Sequence, residues 1–114
     1  MTTLYHNPRC SKSRAALALL EENGITPEIV NYLENPPDAE TLRTLVSMLG
    51  GSIRDIVRTG EDLYRDLGLK DRALSDHALI DIVAANPRLL ERPIVVHGGR
   101  AVLGRPPEKV RLIL

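Results

Sequence analysis

Tyr5-His6-Asn7-Pro8-Arg9-Cys10-Ser11-Lys12-Ser13-Arg14 is the stretch on which the reading of this chain turns. Residues 2–6 read as a short strand that feeds a turn at Asn7-Pro8. Beyond it, Ala15, Leu17, Ala18, Leu19 and Leu20 predict a helix over 11–23, with Ser11 or Ser13 placed to help cap its start. The only cysteine of the chain therefore stands where a strand hands over to a helix. A thiol in that position faces unpaired N–H groups and the positive end of the helix dipole, and both favour the thiolate. Arg9, Lys12, Arg14 and a titratable His6 push the same way. The same geometry makes a cradle for an oxyanion. An inert, buried cysteine is the plainer reading, but such a residue is rarely flanked by Arg and Lys.

Outward from that stretch, Gly24 sits where a helix C-terminus wants a glycine. Residues 27–33, Pro-Glu-Ile-Val-Asn-Tyr-Leu, alternate and are β-branched, which predicts a second strand. Asn35-Pro36-Pro37 breaks the chain, and Asp38 is a good N-cap for a helix over 39–49. Gly50-Gly51-Ser52 and Thr59-Gly60 then separate short helical pieces at 53–58 and 61–67. Ser75-Asp76 caps a further helix to about 85, and 87–91 add a last turn. This middle region carries no strand signal. Strand character returns at 93–97, Gly98-Gly99 is a two-residue hairpin turn, and 100–103 form the returning strand. Pro106 heads a terminal helix over 107–112. The expected fold class is α/β: a thioredoxin-like core, β-α-β then β-β-α, with an all-helical insertion at about 38–91. Residues 1–114 are read as a single domain.

The chain of 114 residues is long enough for one core, with roughly two-thirds of its surface buried on folding. That core must be aliphatic, since the chain has no Phe and no Trp. A formal net charge of zero lacks the basic balance of a nucleic-acid binder. One cysteine cannot form an internal disulfide, and no apolar run approaches a membrane span. Met1-Thr2-Thr3 does not open a signal peptide, so a cytoplasmic location is expected. His77 and His97 have no thiol or carboxylate cluster around them in sequence, so no metal site and no bound cofactor are expected.

At this level of detail the chain resembles the glutaredoxin-coupled arsenate reductase (ArsC) family of the thioredoxin-like superfamily, over nearly its whole length. The resemblance rests on Tyr5-His6-Asn7-Pro8-x-Cys10-x-x-Ser13-Arg14, Tyr32-Leu33-Glu34-Asn35-Pro36-Pro37, Ile53-Arg54-x-x-x-Arg58, Leu79-Ile80-Asp81, Arg92-Pro93-Ile94-Val95-Val96 and Gly104-Arg105-Pro106. It implies that Cys10 is the catalytic nucleophile and that Arg58, Arg92 and Arg105 bind the substrate oxyanion. The family's histidine falls on His6, which either packs or tunes Cys10 as a cation. The family's usual Cys-Gly-Thr-Ser appears here as Cys10-Ser11-Lys12-Ser13, which adds a cation. Arg92-Pro93 is expected to be a cis bond beside the thiol, as in thioredoxin-like folds.

The implied activity is reduction of arsenate to arsenite through a Cys10 thiolate–arsenic intermediate. Glutathione is then the reducing co-substrate and glutaredoxin the partner that resolves the mixed disulfide. Two other readings stay open. One is a general glutathione-dependent thiol oxidoreductase, which Cys-x-x-Ser permits. The other is a redox-responsive transcription regulator of the same fold, although such proteins carry Cys-x-x-Cys where this chain has Ser13. Surface charge is the plainer reading of Arg58 and Arg105. Convergence of the three arginines on Cys10 would decide against it.

Overall fold

The computed structural model describes residues 1–114. The chain forms two compact units. One joins Met1–Asn35 to Arg92–Leu114, and the other is the intervening Pro36–Glu91.

The first unit is built on four strands: β1 (Thr2–His6), β2 (Glu28–Asn31), β3 (Ile94–His97) and β4 (Arg100–Leu103), in the spatial order β2-β1-β3-β4. β1 runs parallel to β2, with Tyr5 opposite Val30 and His6 opposite Asn31. It runs antiparallel to β3, with Leu4 opposite Val95. β3 and β4 form the hairpin, turned by Gly98 and Gly99, both at positive φ, where a side chain would be strained. Helix α1 (Ser11–Glu22) joins β1 to β2. This order is the thioredoxin-like α/β core.

Because β1 is central, Leu4 is fully buried. It joins Ala16, Leu19 and Leu20 of α1, Val95 of β3, and Val110 and Ile113 of the last segment in one aliphatic cluster. That segment, Pro107–Ile113, is a 3₁₀ rather than an α-helix. At about three residues per turn, positions three apart share a face, so Val110 and Ile113 are both presented to the core. Strand β2 stops at Asn31, short of the predicted 33. There the Asn31 carbonyl accepts from the N–H groups of Glu34 and Asn35 at 3.1 and 2.8 Å, closing a turn instead of extending the ladder.

The second unit contains α2 (Ala39–Leu49), α3 (Asp62–Asp66) and α4 (Asp76–Ala85), with 3₁₀ turns at Ile53–Ile56 and Pro87–Leu89. Asp38 caps α2 through Thr41 N–H, and Ser75 caps α4 through Ala78 N–H. The predicted helix over 53–58 is corrected. It ends at Ile56, and Val57 forms an isolated antiparallel bridge with Leu90. Arg58 N–H donates to the Leu89 carbonyl at 2.7 Å, so Arg58 lies on extended chain. Arg54 ties the loop ahead of α4: its guanidinium donates to the carbonyls of Leu69, Asp71 and Leu74 at 2.9, 3.0 and 3.2 Å. No helix is long and apolar enough to cross a membrane.

Candidate active site

The site begins with a turn and a helix start. Cys10 N–H donates to the Asn7 carbonyl at 3.0 Å, and the Cys10 carbonyl accepts from Arg14 N–H at 3.0 Å. Cys10 is thus the N-cap residue of α1, extended at φ −92° and ψ 123°. Its partly buried sulfur closes no strict capping hydrogen bond, yet it faces the first N–H groups of the helix. Partial burial alone would push the thiol up. Against that act the Ser13 N–H, the Arg92 guanidinium, the Lys12 N–H and the Ser13 hydroxyl, and together they bring it below its ordinary value, to about 7. Ser13 is fully buried, and its hydroxyl also accepts from Asn7 N–H at 3.4 Å, which ties the turn to the helix. Arg14 closes the turn from outside, donating to the Pro8 carbonyl at 2.9 Å.

Arg92 and Arg105 belong to the same unit as Cys10. Arg92 lies two residues ahead of the start of β3, separated from it by Pro93. Its guanidinium approaches the sulfur, while its Nε is buried without a hydrogen-bond partner. Arg105 follows β4 and donates from Nη1 to the Arg92 carbonyl at 3.1 Å. The Arg92–Pro93 and Arg105–Pro106 peptide bonds are both cis. Gly104 lets these two stretches meet. Its N–H donates to the Pro93 carbonyl at 2.9 Å, and a Cβ there would lie 2.9 Å from Pro93 Cγ.

Arg58 lies in the second unit. There its Nε is 3.4 Å from Glu91 and its Nη1 3.7 Å from Glu61, so its charge is shared with two carboxylates. The bridge of Val57 to Leu90 creates that pairing, because it sets the two chain segments side by side.

His6 is buried at the end of β1. Burial, and then the charge of Arg14, hold its pKa below the ordinary 6.5. Of the two roles open to His6, packing or tuning Cys10 as a cation, this shift favours packing, because burial and a neighbouring arginine both disfavour the charged ring. Its Nδ1 has no partner, and neither has Oδ1 of Asn31, its opposite number on β2. Elsewhere, His97 Nδ1 is bonded to Thr2 Oγ1 at 2.7 Å, and His77 lies beside Arg43 and Asp81. No three His, Cys, Asp or Glu side chains are gathered as a metal site would need.

Two features of the molecule were not read from the sequence. Arg54 stood in a quoted motif without a role, and its three carbonyl partners become neighbours only when the loop folds back. The other is a cavity of about 410 Å³ walled by Asn7, Pro8 and Arg9 of the Cys10 turn together with Asn31, Leu33 and Glu34.

Comparison with known proteins places this arrangement. The sequence profile of the ArsC family matches residues 5–113. The chain is 50% identical over 112 residues to a protein named arsenate reductase from Neisseria meningitidis, covering 97% of this chain and 96% of that one. It is 58% identical over 108 residues to an Escherichia coli protein of uncharacterized function, covering 94% and 91% of the two chains. Among solved structures, the arsenate reductase from Vibrio cholerae superposes with a TM-score of 0.96 at 51% identity, covering 99% of this chain and 97% of that one. With the matched profile spanning the Cys10 turn and both arginine loops, this chain belongs to the ArsC family.

Proposed function

We propose that the chain reduces arsenate to arsenite, with Cys10 as nucleophile. The observation that carries this reading is Arg92. Its guanidinium already faces the sulfur, and its buried Nε holds an unused N–H. A buried donor without a partner costs about 1–3 kcal/mol, which an oxyanion seated there would recover. A dianion and a thiolate repel each other, so cations must stand around both for them to meet. Arg105 completes the clamp from the next loop. The ArsC relatives named arsenate reductase support the same substrate.

In the first step the thiolate takes the place of one oxygen on arsenic, which leaves as water, with no change of oxidation state. Glutathione then attacks, arsenic(V) gains two electrons and leaves as arsenite, and the two sulfurs become a Cys10–glutathione disulfide. Glutaredoxin takes the glutathionyl group and returns the Cys10 thiol. A chain with one cysteine suits this scheme, since the other thiols come from outside.

Magnitudes say which groups matter most. At a midpoint of about 7, half of the thiol is ionised at pH 7, against roughly 3% at a free pKa of about 8.5. A Brønsted slope of about 0.45 returns most of that gain, leaving roughly threefold. Removing a preorganised donor to developing charge costs about 10²–10³ in rate. The arginines therefore act chiefly as an anion clamp.

The test is arsenate-dependent NADPH oxidation with glutathione, glutaredoxin and glutathione reductase present. Wild type is expected to turn over and Cys10→Ser to be inert. Equal background rates for the two proteins would reject arsenate as substrate.

A further inference from the structure

We infer that the cavity walled in part by the Cys10 turn is the docking site for the zwitterionic end of the reducing peptide thiol, an inference that rests on the proposed need for an external thiol. The chain has one cysteine, so the second sulfur of any disulfide formed at Cys10 must arrive from outside and be held beside it. The cavity has the right address. Three of its wall residues, Asn7, Pro8 and Arg9, belong to the turn whose Asn7 carbonyl holds Cys10 N–H. Its volume, about 410 Å³, falls in the range of about 300–1,000 Å³ usual for small-molecule sites.

Its walls have the right chemistry. Arg9 and Glu34 bring opposite charges, and neither side chain is engaged in an ion pair or hydrogen bond. The Asn7 carboxamide fixes the turn by accepting from the Arg9 backbone N–H at 3.0 Å. A γ-glutamyl peptide thiol presents an α-carboxylate and an α-ammonium on one carbon, which match Arg9 and Glu34 respectively. Asn31 supplies an amide for a peptide bond, and its Oδ1 lacks a partner within the protein. The half-exposed Leu33 offers an apolar wall for the methylene chain. This gives a use to Tyr32-Leu33-Glu34, a recognisable segment to which the oxyanion clamp assigns no work.

The test avoids arsenate. Reduced protein is mixed with glutathione disulfide, and Cys10 thiolate attacks one sulfur to give Cys10–glutathione disulfide and one glutathione thiolate. The second-order rate is read by mass spectrometry. Bis(2-hydroxyethyl) disulfide, which has no charged end, is the control for thiol reactivity. Arg9→Gln and Glu34→Gln are each expected to slow the glutathione reaction about tenfold, the loss of one charge-assisted hydrogen bond, and to leave the control within twofold. Glu34→Gln is the decisive variant. Simple charge steering predicts that losing a carboxylate speeds reaction with an anionic disulfide, whereas docking predicts slowing. An unchanged or faster rate in Glu34→Gln overturns the inference, and so does slowing of both disulfides alike or no effect of Arg9→Gln. A protein inert toward arsenate but selective for glutathione disulfide in this way would reject the proposed function and leave the docking site standing.

Discussion

The guanidinium of Arg105 is bonded to the main chain of Arg92, across 3.1 Å from Nη1 to the carbonyl oxygen. One arginine of the proposed clamp thus positions the backbone of the other. Substitution at 105 should act in two ways, by removing a cation and by loosening Arg92. Arg105→Lys keeps the charge but loses the planar fork, so it is expected to lower kcat/KM for arsenate too. A Lys variant with wild-type kcat/KM would confine Arg105 to a general charge effect.

The thiol should titrate near 7 when followed by thiolate absorbance against pH. Arg92→Ala and Ser13→Ala are each expected to raise that midpoint, since both side chains favour the anion. Arg92→Ala should also cost about 10²–10³ in kcat/KM, far more than its effect on ionisation explains. A loss of threefold or less would reduce Arg92 to a pKa tuner.

Gly104→Ala is a packing prediction. The new Cβ would stand 2.9 Å from the Pro93 ring and 3.3 Å from Val110 Cγ2, and a proline ring has little freedom to retreat. The expected loss is about 1–3 kcal/mol, measured by denaturant unfolding. The displaced Pro93 should carry Arg92 with it, so kcat/KM for arsenate should fall as well. Wild-type stability in this variant would mean that the two loops separate freely.

His6 links folding to pH. Its folded pKa lies below 6.5, so between those values the unfolded chain binds more protons than the folded one. Stability should therefore rise with pH through that window and fall on acidification below 6.5. His6→Gln cannot bind the proton and should show a flatter stability profile from pH 7 to pH 5.5. Identical slopes for the two proteins would place the burial effect elsewhere.

Arg54 gives a prediction for the second unit. Arg54→Met removes the donor to three loop carbonyls, an expected cost of about 1–3 kcal/mol. Limited proteolysis should then cut faster within residues 69–74. Unchanged cleavage would show that the loop is held by other contacts.

The elements that were legible in the sequence are those with strong local signals. Asp38 and Ser75 cap their helices as read, Gly24 follows α1 at positive φ, and Gly98-Gly99 turns the hairpin. What was not legible depends on distant partners. A seven-residue tail beginning at Pro107 gives no local hint that 3₁₀ winding will suit Val110 and Ile113 better than α. Arg58 resembles a helix charge until Val57 pairs with Leu90 and brings Glu91 alongside. His6 reads as either a packed ring or a cation until the sheet closes over it. At the site, the Cys10 turn was local and readable. The cavity wall was not, because Arg9 and Glu34 meet only through the parallel pairing of β1 with β2.

The first unit is assembled from two lengths of chain with the whole second unit between them. On the ribosome, β1, α1 and β2 emerge early with Cys10 already in place, but the antiparallel neighbour of β1 is still unmade. Until residues 92–103 arrive, the strand carrying His6 has one open flank, and neither Arg92 nor Arg105 exists to face the sulfur. The nascent thiol is therefore without its guanidinium partners for most of synthesis. The proposed anion clamp is therefore expected to form only after residues 92–105 have been made, when β3 pairs with β1 over a long sequence separation.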